Sequence, residues 1–160
     1  YNIDKNVNLI ELYVTFNEKI TNVNHLTKLV KLEAAYRSVL TDERIKDLNL
    51  IELCVDGNPE ITNVNHMSNL KILSAFYNSG IGDNGIKNLN LIKLDAGYNE
   101  RITDVNHMTN LQILYAEGSS GISDDGIKNL NLIELEINKN NKITKGSNNN
   151  MLLKRLDFNY

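Results

Sequence analysis

Three histidines are the side chains of this sequence best suited to proton transfer or metal binding, and all three sit in one recurring segment. His25 lies in "ITNVNHLTKL", starting at Ile20. His66 lies in "ITNVNHMSNL", from Ile61, and His107 in "ITDVNHMTNL", from Ile102. Imidazole titrates near neutral pH and ligates zinc. Thr27, Ser68 and Thr109 each follow a histidine by two residues, which raises the question of an activated hydroxyl. A second candidate chemistry is carboxylate work by Glu136 and Asp157 with Glu134 close by. Paired carboxylates serve in acid–base catalysis or hold calcium. The third candidate is Cys54, the one cysteine of the chain.

The elements that carry these residues are set by an internal repeat. "NLIEL" or "NLIKL" recurs from Asn8, Asn49, Asn90 and Asn131, a period of 41 residues. A related unit falls inside each period: "LVKLEA" at Leu29, "LKILSA" at Leu70, "LQILYA" at Leu111 and "LKRLDF" at Leu153. Eight units of alternating 20 and 21 residues therefore begin at Leu9, Leu29, Leu50, Leu70, Leu91, Leu111, Leu132 and Leu153. The last is displaced by one residue, because "KITKGSNNNML" carries an insertion. Within it, Asn148 to Asn150 reads as a surface loop.

Each unit reads L-x-x-L-x-(V/A/I/F)-x-x-(N/S/R). The pattern resembles the leucine-rich repeat family over essentially the whole chain. The tail "GISDDGIKNL" is similar to the repeats of F-box-type proteins, and the alternation with "ITDVNHMTNL" looks like repeat proteins of large DNA viruses. The fold implied is an α/β-type leucine-rich repeat solenoid, mostly β, with a concave parallel sheet of about eight short strands. Residues 1–160 read as one solenoid of about eight coils without evident capping units.

Elementary geometry leads to the same architecture. The fourth and sixth positions of a unit point to one face of a short strand, and one strand cannot bury its own leucines. Stacking successive strands makes a continuous core. Asn17, Asn58, Asn99 and Asn140, with Asn78 in a second-type unit, follow the strands. The resemblance places this asparagine inside, bonding backbone groups at the turn. Arg37 and Ser119 depart from the pattern, so breaks in the ladder are expected there. The return segments are too short for full helices, so extended or 3₁₀ segments are expected, with Val64 and Met67 inward. Asp83 or Asp124 is placed to cap one short helical turn.

This geometry weighs against chemistry at the histidines. They recur on every second coil, so they stand about 9.6 Å or more apart at a strand spacing of about 4.8 Å. Two nitrogens on one zinc must lie within about 4 Å of each other, given bonds near 2.0–2.1 Å. A coil motif needs one copy per repeat, whereas catalysis needs one site. The carboxylates lack a glycine loop or further ligands, and no base is placed to activate Cys54. No catalytic residue, metal or cofactor is expected.

The outward positions of the strands form the expected binding face. The third position gives Glu11, Lys31, Glu52, Ile72, Lys93, Ile113, Glu134 and Arg155. The fifth gives Tyr13, Glu33, Cys54, Ser74, Asp95, Tyr115, Glu136 and Asp157, and the seventh includes Ala35, Asp56, Phe76, Gly97 and Glu117. Across the three positions nine acids face three bases. Some of the charge cancels in ladders such as Glu11–Lys31–Glu52 and Glu134–Arg155. Glu33, Asp56, Asp95, Glu117, Glu136 and Asp157 have no obvious cationic neighbour, and Tyr13, Ile72, Phe76, Ile113 and Tyr115 add apolar area. Acids around aromatic anchors suit a basic or amphipathic protein surface.

Composition narrows the class of partner. The 160 residues carry a net charge of −3, which disfavours nucleic acid or an anionic membrane. No apolar run approaches a membrane span. Although 27 residues are asparagine, no Asn-x-Ser/Thr sequon occurs, and the lone cysteine suits a reducing compartment. An intracellular, cytoplasmic protein is the expectation. The expected function is a non-enzymatic protein-interaction scaffold that binds its partner on the concave face. The alternatives are a structural module that associates with itself, end to end, or the substrate-recognition part of a longer F-box-type ubiquitin ligase adaptor.

Overall fold

The computed structural model describes residues 3–4 and 7–144, together with the backbone of 155–157. Each unit contributes one three-residue strand. These are β1 (Glu11–Tyr13), β2 (Lys31–Glu33), β3 (Glu52–Cys54), β4 (Ile72–Ser74), β5 (Lys93–Asp95), β6 (Ile113–Tyr115), β7 (Glu134–Glu136) and β8 (Arg155–Asp157). They form one parallel sheet in chain order from β1 to β8. Equivalent positions pair throughout, as in Leu32 with Leu53 and Leu53 with Leu73. The architecture is a leucine-rich-repeat-type solenoid, with the sheet on one side and short return segments on the other.

The leucine pattern builds the core. Leu53, Leu73, Leu94 and Leu114 at the fourth position are sealed from solvent, as are Val55, Ala75, Ala96 and Ala116 at the sixth. Val64 and Met67 close the core from the return side, as expected. A fully buried leucine contributes roughly 1.5–3 kcal/mol over an exposed one. The contribution exists only because the next coil covers it.

The return segments come in two forms. In first-type coils the chain turns through i→i+3 bonds, such as Met67 N–H to the Val64 carbonyl at 3.0 Å. In second-type coils it makes one helical turn: α1 (Asp42–Ile45), α2 (Asp83–Ile86) and α3 (Asp124–Ile127). Asp83 and Asp124 are the first residues of their helices and do not cap them. The preceding Gly82 and Ser123 hold the capping position, without a side-chain bond. Asp83 instead reaches the next coil, accepting from the Thr103 hydroxyl at 2.6 Å and the Thr103 N–H at 2.7 Å. Gly85 lets α2 lie close against the coil before it, since a β-carbon there would lie 2.0 Å from the Thr62 carbonyl oxygen.

The asparagine ladder is real but differs from expectation. Asn58, Asn99 and Asn140 are buried. Asn99 donates to the carbonyls of Ala75 (2.9 Å) and Ile81 (3.1 Å), one coil back, and accepts from Arg101 N–H at 2.9 Å. Asn78 does not join them, because it is exposed. The inward polar residue of second-type coils lies one position later, at Ser38, Ser79 and Ser120. Each serine accepts from the N–H two residues on, at 3.4 Å. Arg37 and Ser119 therefore break nothing; the ladder alternates Asn with Ser because the two coil types turn at different residues.

Candidate functional site

The sheet brings the expected face together. In the strand register Glu11 lies beside Lys31, Lys31 beside Glu52, Glu134 beside Arg155 and Glu136 beside Asp157. Lys31 Nζ pairs with Glu52 Oε1 at 2.5 Å. Lys93 Nζ lies 4.7 Å from the centre of the Tyr115 ring, whose hydroxyl donates to Glu134 at 3.0 Å. The side chains of Arg155 and Asp157 lie outside the described residues. Tyr13 is exposed, Glu33, Ile72, Asp95, Tyr115 and Glu136 are half-buried on the strands, and Asp56, Phe76 and Glu117 are half-buried in the turns just past them. Ala35 and Gly97 are corrections to the seventh position, being buried where the chain bends out of the strand.

Several acids have neutral partners in place of cations. Glu33 accepts from the Thr15 hydroxyl at 2.6 Å. Asp56 accepts from the Ser74 hydroxyl at 2.6 Å and from Phe76 N–H at 3.0 Å. Asp95 accepts from Gly97 N–H at 3.0 Å. These bonds orient the carboxylates without neutralising them. Burial pushes the Asp95 carboxyl up to about 6, against the Gly97 bond, with Asp56 and Glu136 adding repulsion. Burial and the adjacent Glu136 carboxylate likewise raise Glu117, and Asp95 contributes less. Asp95, Glu117 and Glu136 thus form a negative region across β5, β6 and β7 and the turns that follow them, which Lys93 relieves only in part, at Asp95.

A second row of residues lies at the rim, at the eighth position of each unit. Here the backbone enters the left-handed region at Phe16, Tyr36, Gly57, Tyr77, Tyr98, Gly118 and Lys139, with φ between 49° and 63°. A non-glycine residue in this conformation costs about 1–2 kcal/mol. The turn recurs because its N–H bonds the next coil, as in Tyr77 to the Gly97 carbonyl at 2.8 Å. The side chains line up along the solenoid. Phe16 and Tyr36 stack at 5.3 Å, and Phe76, Tyr77 and Tyr98 are in mutual contact at 5.4–5.7 Å. The row is open to solvent, with Phe16 65%, Tyr36 40% and Tyr77 49% exposed. Gly57 and Gly118 interrupt it, and Lys139 follows at its far end. A β-carbon at Gly57 would lie 2.8 Å from the Tyr36 ring, so the ring of one coil leans over the glycine of the next. The repeat carries this row as a column of aromatics and glycines, closed by Lys139, one place beyond the outward positions of the strands.

The histidines lie on the return side, away from this face. His66 and His107 are exposed, and His107 Nε2 is 3.2 Å from the Ile86 carbonyl. His25 is half-buried, and its Nε2 has no hydrogen-bond partner. The adjacent asparagine has the structural role. Asn65 donates to the Asn84 carbonyl at 2.7 Å and accepts from Asn88 N–H at 2.8 Å, spanning α2 of the next coil. The Ser68 and Thr109 hydroxyls accept from the Asn49 and Asn90 side chains, and their backbone N–H groups bond the His66 and His107 carbonyls, so the contact with the histidines is through the main chain and not the imidazoles. Among the described residues no group of three His, Cys, Asp or Glu side chains could hold a metal ion. Burial drives the Cys54 thiol up to about 12, so it is held as a neutral thiol. No helix of the described residues is long and apolar enough to cross a membrane.

Fold and face together define a parallel-strand solenoid with an acidic sheet face and an aromatic rim. Comparison with protein-family models, with curated proteins and with solved structures yields no match.

Proposed function

We propose that this chain is a protein-binding scaffold of the leucine-rich repeat family that acts without catalysis and captures a basic or amphipathic partner on its concave sheet. One observation carries the reading. Asp95 and Glu117 stand beside Glu136 where burial and neighbouring carboxylates resist the charge of these first two, while Lys31 is already engaged by Glu52 and Lys93 lies over the Tyr115 ring. Bringing a cation to that region relieves repulsion that the fold leaves standing. An intracellular setting belongs to the same reading and draws on the lone cysteine and the missing sequon.

The test is capture of partners from the native cell by the parent chain and by a Glu117→Lys, Glu136→Lys variant. Capture should fall more than ten-fold with an unchanged circular dichroism spectrum. Undiminished capture by the folded variant removes the reading. A second reading, a module that associates with itself, draws on Ile10, Tyr13 and Phe16, exposed at β1. Light scattering at rising concentration separates the two, because a monomer throughout excludes self-association.

A further inference from the structure

The rim has a spacing that the sheet face does not. Its aromatic row is interrupted at Gly57 and at Gly118, and in both places the preceding residue is acidic: Asp56 and Glu117. The two interruptions lie three coils apart. Rim N–H groups still bond the next coil, Gly57 to Phe76 at 3.0 Å and Gly118 to Asn138 at 2.7 Å, so strand spacing holds there. Three spacings of about 4.8 Å put the acids about 14 Å apart along the solenoid axis. An extended peptide rises about 3.3–3.4 Å per residue and returns to the same face every second residue. Residues i and i+4 of such a peptide lie about 13.5 Å apart on one face. Tyr77 and Tyr98 fill the interval between the acids with ring surface.

We propose that the rim docks an extended peptide with two basic side chains four residues apart, one at Asp56 and one at Glu117, and apolar or aromatic residues between them against Tyr77 and Tyr98. Arginine fits better than lysine, because a planar guanidinium both forks onto a carboxylate and stacks on a ring. Lys139, the next rim residue beyond Gly118, opposes a third basic side chain at that end. The inference rests on the reading that this side of the molecule takes a basic partner, and adds the row and the spacing.

The probes are acetylated, amidated ten-residue peptides of alanine and serine with one central tyrosine and two arginines at i,i+2, at i,i+4 or at i,i+6. Each is titrated into the ¹⁵N-labelled protein at low salt. The i,i+4 peptide should bind at least ten-fold more tightly than the others and move the amide resonances of Gly57 and Gly118. Tyr77→Ala should abolish that preference. Asp56→Asn, which keeps the acceptor for Ser74 and Phe76, should reduce the i,i+4 peptide to the affinity of a single-arginine peptide. Equal affinity at all spacings, absence of binding, or an unchanged preference in both variants overturns the inference. None of these results bears on partner capture by the Glu117→Lys, Glu136→Lys protein, so the two readings fail separately.

Discussion

The ring of Tyr98 fills the space that a β-carbon on Gly118 would enter, with Cε1 only 2.3 Å from that position. Gly118 also holds a φ of 57°. Replacing it with alanine therefore meets two obstacles. Gly118→Ala should destabilise the array by about 2–4 kcal/mol, from the left-handed backbone and the displaced ring. Adding Tyr98→Ala should recover the part caused by the ring and leave the backbone part. A double-mutant cycle in urea measures the split, and additive effects would mean that the ring does not constrain the glycine.

Asn99 and Asn78 have the same side chain in superficially equivalent places. Asn99→Ala leaves two buried carbonyls and one N–H without their partner and should cost about 2–4 kcal/mol. Asn78→Ala, at an exposed position, should stay within about 0.5 kcal/mol. Equal losses in equilibrium unfolding would contradict the alternating Asn/Ser ladder.

The neighbours Asn65 and His66 offer a similar contrast on the return side. Asn65→Ala removes both bonds across α2 and should lower stability by about 1 kcal/mol. His66→Ala should change it by less than about 0.5 kcal/mol. A larger effect at the histidine, read by thermal unfolding, would move the structural role from Asn65 to His66.

Asp95 makes a prediction about pH. Its folded-state carboxyl, at about 6, lies above the ordinary carboxylate value, so the folded state binds the proton more tightly than the unfolded chain. The penalty of its charge is complete above about pH 6 and is relieved as pH falls from there towards 4. Asp95→Asn should stabilise the fold at pH 7 by about 1–2 kcal/mol, after allowance for partial exposure, and the gain should shrink towards pH 4. Urea midpoints across that range check the sign, and a gain largest at pH 4 would refute the burial of this charge.

Leucine spacing alone placed all eight strands and their register, because a buried period of 20 or 21 residues admits few other arrangements. It also placed Tyr13, Asp95 and Glu136 on one sheet, while Phe76 and Glu117 fall in the turns just past their strands. It misplaced Asn78, since only the turn shows that second-type coils point the following residue inward. It assigned Asp83 to its own helix when the carboxylate serves the next coil, a contact that depends on how closely coils stack. The conformation of the rim is not legible in the sequence for a related reason. Left-handed backbone at Tyr36, Tyr77 and Tyr98 is imposed by bonds between coils, and aromatic residues carry no local preference for it.

The contacts of Asn65 and Asp83 have a consequence for the ancestry of the array. Asn65 joins a first-type coil to the second-type coil after it, and Asp83 joins a second-type coil to the first-type coil after it. Neither contact has a counterpart between two coils of the same type. Loss of a single coil would bring like against like and strand both sets of bonds. The unit that can be added or removed with every bond between coils kept is therefore the 41-residue pair, and insertion or loss of half that length forfeits them at the new junction.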